Sequence, residues 1–166
     1  MMQTNHNGNL TPQQRLQKNI LAVITHSNYR ALGGVVMLGE TQVVDDCPTA
    51  ATDGLNVIYG AQFISSLSDP ELRFVILHEA MHKSLRHLTT WRHLWKKNPQ
   101  RANAACDYVI NLMLRDLDPE GKTIQMPKWD KDMPKLKIKK GDPRSGAVPP
   151  PPDKMIKVQV AADAKD

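Results

Sequence analysis

The sequence predicts an α+β domain followed by an extended Pro/Lys-rich C-terminal tail. Three observations carry this. Apolar residues recur at helical spacing in three separate segments. Short runs of strand length lie between the first two of these. Helical periodicity then disappears after Asp118-Pro119-Glu120-Gly121, where proline becomes frequent. A chain of 166 residues has room for one domain with a real core and little else.

Each element has a local reason. Thr11 before Pro12 gives a capping threonine and a proline at the first helical position, and Leu16, Ile20, Val23 and Ile24 follow at helical spacing. A helix is expected to run from there to about Ser27. Gly33-Gly34 interrupts it. Residues 35–38 form an apolar run of strand length, 41–44 a second, and 55–59 a further strand closed by Gly60. Residues 45–54 are rich in turn formers. Ser68-Asp69-Pro70-Glu71 then combines capping-box spacing with a proline in the first turn. The helix it opens carries Leu72, Val75, Ile76, Leu77, Met81, Leu85 and Leu88 and is expected to last to about Thr90. Pro99 marks a break before another helix over roughly 101–117. That helix is apolar around much of its circumference, so it is expected to be well buried.

Charge and proline divide the chain. The net charge is +5, but residues 1–119 carry 11 basic and 10 acidic side chains while 120–166 carry 11 and 7. Eight of the twelve prolines fall between Pro119 and Pro152. The expected organisation is therefore a flexible N-terminus over 1–10, a domain over 11–126, and a flexible tail over 127–166 whose composition cannot support a core. The tail, with a polyproline run at 149–152, offers a place for a partner protein. No apolar run reaches the length of a bilayer, and residues 1–9 lack the layout of a secretory signal. The expectation is a cytoplasmic protein, of a bacterium or of a host cell, with no membrane contact. Cys47 and Cys106 form no CxxC pair, and both are expected to be free thiols. Cys106 reads as a small buried hydrophobe. Cys47, in a polar loop, reads first as a packed thiol and second as a metal ligand.

Residues 78–82 match H-E-x-x-H. His78 and His82 are four apart, so on a helix they share a face and can hold one cation, with zinc the expected metal. Glu79 is turned about 100° away, within reach of a water at that cation and suited to take its proton. The competing reading is a surface helix with two incidental histidines. A zinc site open to water needs a third protein ligand. The candidates are His87, His93, Cys106 and Asp107. On a continuing helix His87 lies about half a turn off the metal face, so it reads as a residue supporting the ligands from behind or as a surface residue, and His93 belongs to a basic stretch. The extended H-E-x-x-H-x-x-G-x-x-H pattern is absent: position 88 is leucine and the glycine is missing. Asp107 is the better candidate, because a carboxylate within an apolar helix is costly unless paired or metal-bound. Its other reading is a partner for a buried arginine or a backbone cap. Asn111, one turn on, can hydrogen-bond near the site.

His78-Glu79-x-x-His82, then His87, then residues 103–111 with Asp107 and Asn111, together with Ala51-Thr52-Asp53-Gly54 before a strand, define a pattern. It resembles the metallopeptidase domain that often precedes a von Willebrand factor A-like domain in bacterial and phage proteins. The likeness covers about residues 11–127, and no von Willebrand-type domain follows. The resemblance implies a zincin-like fold, with helices packed on a small mixed β-sheet and the motif helix beneath it. It implies His78, His82 and Asp107 as zinc ligands, Glu79 as catalytic base, and a protein or peptide substrate.

Lys83, Arg86, Arg92, Lys96, Lys97 and Arg101 lie in a stretch with no acid between Glu79 and Asp107, interleaved with Trp91 and Trp95. The preferred reading is a solvated charged loop whose tryptophans close the core; the other is a weak nucleic-acid contact. Three functions result: a zinc metallopeptidase, a catalytically silent zinc-stabilised binding or virion-associated module, and a nucleic-acid-associated protein using residues 83–101. Retention of Glu79 favours the first, since a structural zinc needs no base and would normally have a fourth protein ligand.

Overall fold

The computed structural model describes residues 10–127. The expected flexible N-terminus (but for Leu10) and the expected tail (but for Pro127) lie outside the described residues. Helix α1 (Pro12–Thr25) starts at a complete capping box: Thr11 Oγ1 accepts from Gln14 N and Gln14 Oε1 accepts from Thr11 N. Its buried stripe is Leu16, Asn19 and Val23. A 3₁₀ turn at Arg30–Leu32 leads into α2 (Gly33–Val36). The strand expected over 35–38 is therefore helical in its first half. The β-branched valines favour a strand only weakly, and tertiary packing decides. Val36 is buried, Val35 packs against the core, and the carbonyl of Leu38 accepts a 2.7 Å hydrogen bond from Lys83 Nζ.

Three strands follow: β1 (Thr41–Val44), β2 (Ala50–Thr52) and β3 (Val57–Gly60). They form a mixed sheet in the order β1-β3-β2, with β1 parallel and β2 antiparallel to β3. Strand β2 lies in the segment read as turns. Its three residues are held by the β2–β3 connection, where Gly54 adopts φ +98 and Asp53 Oδ1 accepts from Leu55 N (2.8 Å) and Asn56 N (2.7 Å). Gly60 matters for a different reason: a Cβ there would collide with the carbonyl of Cys47, so only glycine lets this backbone pass close to β3.

Helix α3 (Ala61–Ser66), absent from the sequence reading, connects the sheet to α4 (Asp69–Ser84). Ser68 and Glu71 form the expected capping box at the start of α4, with Ser68 N donating to Glu71 Oε2 at 2.8 Å. Helix α4 is the centre of the molecule, packed by α1, α2, α7 and β2. Leu72, Val75, Ile76, Leu77, Ala80 and Met81 are all buried on it. Each fully buried leucine or isoleucine contributes about 1.5–3 kcal/mol relative to exposure, so α4 is held by burial on most of its faces rather than by one stripe.

The end of α4 corrects the sequence reading. The helix stops at Ser84, not near Thr90. Arg86 takes up the left-handed conformation (φ 50, ψ 40), and two short helices follow, α5 (His87–Thr90) and α6 (Arg92–Lys97). Helix α7 (Pro99–Leu117) is capped by Asn98, whose Oδ1 accepts from Arg101 N. It is one-sided rather than well buried: Ala102, Cys106, Asp107, Ile110 and Leu114 face inward while Val109, Met113 and Leu117 stay exposed. No helix among those residues is long and apolar enough to cross a membrane.

Candidate metal centre

Two helices build the site. α4 presents His78 and His82 one turn apart, and α7 crosses them with Asp107. His82 Nε2 lies 2.9 Å and His78 Nε2 3.1 Å from Asp107 Oδ1, and the two Nε2 atoms are 3.1 Å apart. His82 and Asp107 are buried, and the side chain of His78 is nearly so. These three residues form a group whose ligand atoms all lie within 4.8 Å of one another. A tetrahedral ion with bonds of roughly 2.0–2.1 Å spaces its ligand atoms about 3.3 Å apart. The observed triangle is only a few tenths of an ångström tighter.

Donor chemistry also fits a cation. His78 Nδ1 lies 3.0 Å from Asn111 Oδ1, an atom that only accepts, so Nδ1 carries the proton and Nε2 presents its lone pair. Asp107 Oδ1 presents another. In the tautomer protonated at Nδ1, His82 Nε2 presents a third, and the three lone pairs then face one centre of a cation's size. Protons can stand in for a metal here. Burial opposes charge on His78, but Asp107 and Glu79 outweigh it and raise the pKa of His78. Burial likewise opposes charge on Asp107, but the hydrogen bonds to His78 and His82 lower its pKa on balance. Asn103, one turn before Asp107, donates from Nδ2 to Asp107 Oδ2 at 2.5 Å and holds the carboxylate's other oxygen. Its helical spacing to Asp107 was the signal that sequence reasoning passed over.

Glu79 lies in the same cleft. It is buried, and that burial raises its pKa, with His78 and His82 acting the other way. The cleft is small, about 90 Å³, and is walled by Ala50, Ala51 and Thr52 of β2 and by Leu88, Trp95 and Asn103. Ala51 and Thr52 belong to the pattern noted in the sequence and Trp95 to its basic stretch, but their place in the cleft wall was not read there, because the sheet and α6 deliver them. The indole N–H of Trp95 is buried and has no hydrogen-bond partner among the described residues.

The remaining ligand candidates separate clearly. His93 is exposed beside Trp91. Cys47 is buried and donates from Sγ to the Thr49 carbonyl at 3.2 Å. Cys106 is buried on α7 outside the group of three, and burial, then Asp107, pushes its thiol up to about 11. His87 is the correction. Because α4 ends early, His87 is not half a turn off the face but buried against His82, Nδ1 to Nδ1 at 3.2 Å. Burial, then the neighbouring His82, lowers its pKa to about 4. The basic stretch is helical rather than a loop. It leaves Trp91 exposed and brings Trp95 to the cleft, so its tryptophans do not simply close the core.

No curated protein and no solved structure matches the chain. One family model does, over residues 11–127, a span that holds all of α4, α7 and the sheet. The chain belongs to the family described as "Putative metallopeptidase domain".

Proposed function

We propose that the chain is a zinc-dependent peptidase of the zincin type, with His78, His82 and Asp107 holding the metal and Glu79 acting as general base. One observation carries the reading: His78 Nε2, His82 Nε2 and Asp107 Oδ1 converge at 2.9–3.1 Å in a cleft that also holds buried Glu79. Three protein ligands leave the fourth position of a zinc ion for water, which separates this arrangement from a closed structural site. A bound zinc supplies Lewis acidity, lowering the pKa of water to about 7 and polarising a peptide carbonyl.

The chain's own residues account for the rest. Glu79 accepts the proton of the attacking water and passes it to the leaving amine. Its buried place in the same cleft as His78 and His82 suits both halves of that task. Asn103 and Asn111 hold the Asp107 carboxylate and the His78 ring in place. Substrate has a natural track. β2 is an edge strand of the sheet and also a wall of the cleft, so an extended peptide added along β2 by main-chain hydrogen bonds would pass beside Glu79. The cleft itself has room for little more than a few waters, so most of the substrate would lie along the rim.

The test is metal analysis of the purified chain followed by a peptide-library cleavage assay of wild type against Glu79→Gln. The expected result is one zinc per chain in both proteins and cleavage in the wild type alone. Zinc in both with cleavage in neither would leave a silent zinc-stabilised module. Absence of any transition metal after gentle purification would overturn the reading altogether.

A further inference from the structure

We infer that His87 is a positioning residue for the metal centre: its Nδ1 accepts a hydrogen bond from His82 Nδ1–H and so fixes the ring and tautomer with which His82 offers Nε2 to the metal. The inference rests on the assignment of His78, His82 and Asp107 as the metal-holding set.

The two Nδ1 atoms lie 3.2 Å apart, with the rings nearly perpendicular (80°) and their centroids 5.2 Å apart. Two imidazole nitrogens at that distance share one proton, and one of them must be the donor. On the other side of its ring, His82 directs Nε2 at Asp107 Oδ1 and His78 Nε2. A nitrogen that gives its lone pair to a metal cannot carry a proton, so the proton of neutral His82 sits on Nδ1. His82 is then the donor, His87 Nδ1 the acceptor, and the proton of His87 lies on its own Nε2. His78 is held by the same logic but by a different group, the amide oxygen of Asn111. The two histidines of the motif therefore have separate anchors, one from α7 and one from α5.

The backbone is shaped to deliver this contact. On a continuous helix His87 would stand five residues after His82, about 140° around the axis, and their rings would not meet. The left-handed Arg86, the one non-glycine residue with positive φ among those described, ends α4 and swings His87 back toward His82. A non-glycine residue in that conformation costs about 1–2 kcal/mol, and such strain persists where the surrounding structure requires it. The buried His87 also lines an apolar groove together with Leu85, Trp91, Leu94 and Cys106.

The test uses the zinc-loaded full chain. Long-range proton–nitrogen NMR on the wild type reads each histidine tautomer directly. The expected result is His82 protonated at Nδ1 and His87 at Nε2; His87 protonated at Nδ1, or His87 bound to the metal, would overturn the inference. Chelator competition then compares His87→Phe, which fills the space without an acceptor, with His87→Asn, which restores an acceptor near the Nδ1 position. The expected loss of zinc affinity is roughly 10–100-fold for His87→Phe, the usual size of an outer-shell effect, with most of it recovered in His87→Asn. Equal affinity in wild type and His87→Phe would overturn the positioning role while leaving the metal assignment standing. A wild type that binds no zinc would remove both.

Discussion

Helix α4 carries two polar clusters, and they are completed in opposite ways. At its first residue, Asp69 accepts from Lys18 Nζ at 2.8 Å, Arg15 Nη2 at 2.9 Å and Asn19 Nδ2 at 3.2 Å. The hydrogen bond from Lys18 is the largest influence, and with Arg15 and Asn19 it overcomes burial and holds the Asp69 carboxyl well below the usual range. Two and a half turns on, His78 begins the second cluster, where two imidazole nitrogens and a carboxylate oxygen point at one another. Donors meet acceptors within the chain at Asp69. At the triad, three atoms that can each offer a lone pair converge. The first cluster is finished by folding alone and serves stability; the second brings together three atoms that can share a cation. A buried polar group is thus informative about function when its partners are of its own kind.

The largest expected effect lies at the second cluster. Replacing His78, His82 or Asp107 by alanine should lower zinc affinity by two orders of magnitude or more, beyond the ~10–100-fold typical of outer-shell changes. His93→Ala and Cys106→Ser should stay within about 3-fold of wild type, because neither side chain belongs to the converging group. At zinc concentrations near 1,000 times the dissociation constant, the wild type should also lose about 4 kcal/mol of stability on chelation, and the ligand variants almost none. Chelator competition and melting with and without EDTA measure both. Zinc binding that survives Asp107→Ala would break the comparison.

An intermediate effect is expected at the first cluster, with the opposite profile. Asp69→Asn should cost about 1–2 kcal/mol at pH 7, allowing for the partial exposure of the pair, and leave zinc affinity unchanged. The folded pKa of Asp69 is depressed, so its stabilisation is complete above the unfolded carboxylate pKa of about 4. It is lost as pH falls toward the folded value. The gap between wild type and variant should therefore close in acid, as urea titrations at several pH values would reveal. A gap that widens in acid would contradict the sign.

The smallest effect concerns the turn that follows α4. Arg86→Gly removes the cost of the left-handed backbone but adds freedom to the unfolded chain, so stability should change by less than about 1 kcal/mol in either direction. Zinc affinity should be retained, since the position needs the conformation and not the side chain. Arg86→Val should be worse on both measures, because a β-branched residue resists that conformation.

Local chemistry made part of this legible. The caps at Thr11 and Ser68 and strand β1 follow from neighbours a few residues apart and stand where their signals put them, while β3 begins two residues later than expected and includes Gly60, and α7 starts at Pro99 itself rather than near 101. The shared face of His78 and His82 is of the same kind, a consequence of spacing on one helix. Asp107 was conspicuous as an acid in an apolar segment, and Asn111 as its neighbour one turn on. The misreadings have a different origin. Residues 35–38 look like a strand until Leu38 is tied to Lys83, 45 residues away. β2 exists because a backbone can pass close to Gly60, and its role as cleft wall because α4 packs beneath it.

The sequence by itself determined the helix pair of the motif, its start, and the kinds of atom available to a cation. Only the tertiary structure decided which oxygen meets which nitrogen, that Asn103 holds the far side of Asp107, and that the chain breaks at Arg86 to return His87 to His82. The physical reason is range. Spacing and capping act within one or two turns, whereas the site is closed by contacts 25 to 33 residues apart between α4 and α7, and these form only when the core shared by the two helices is packed.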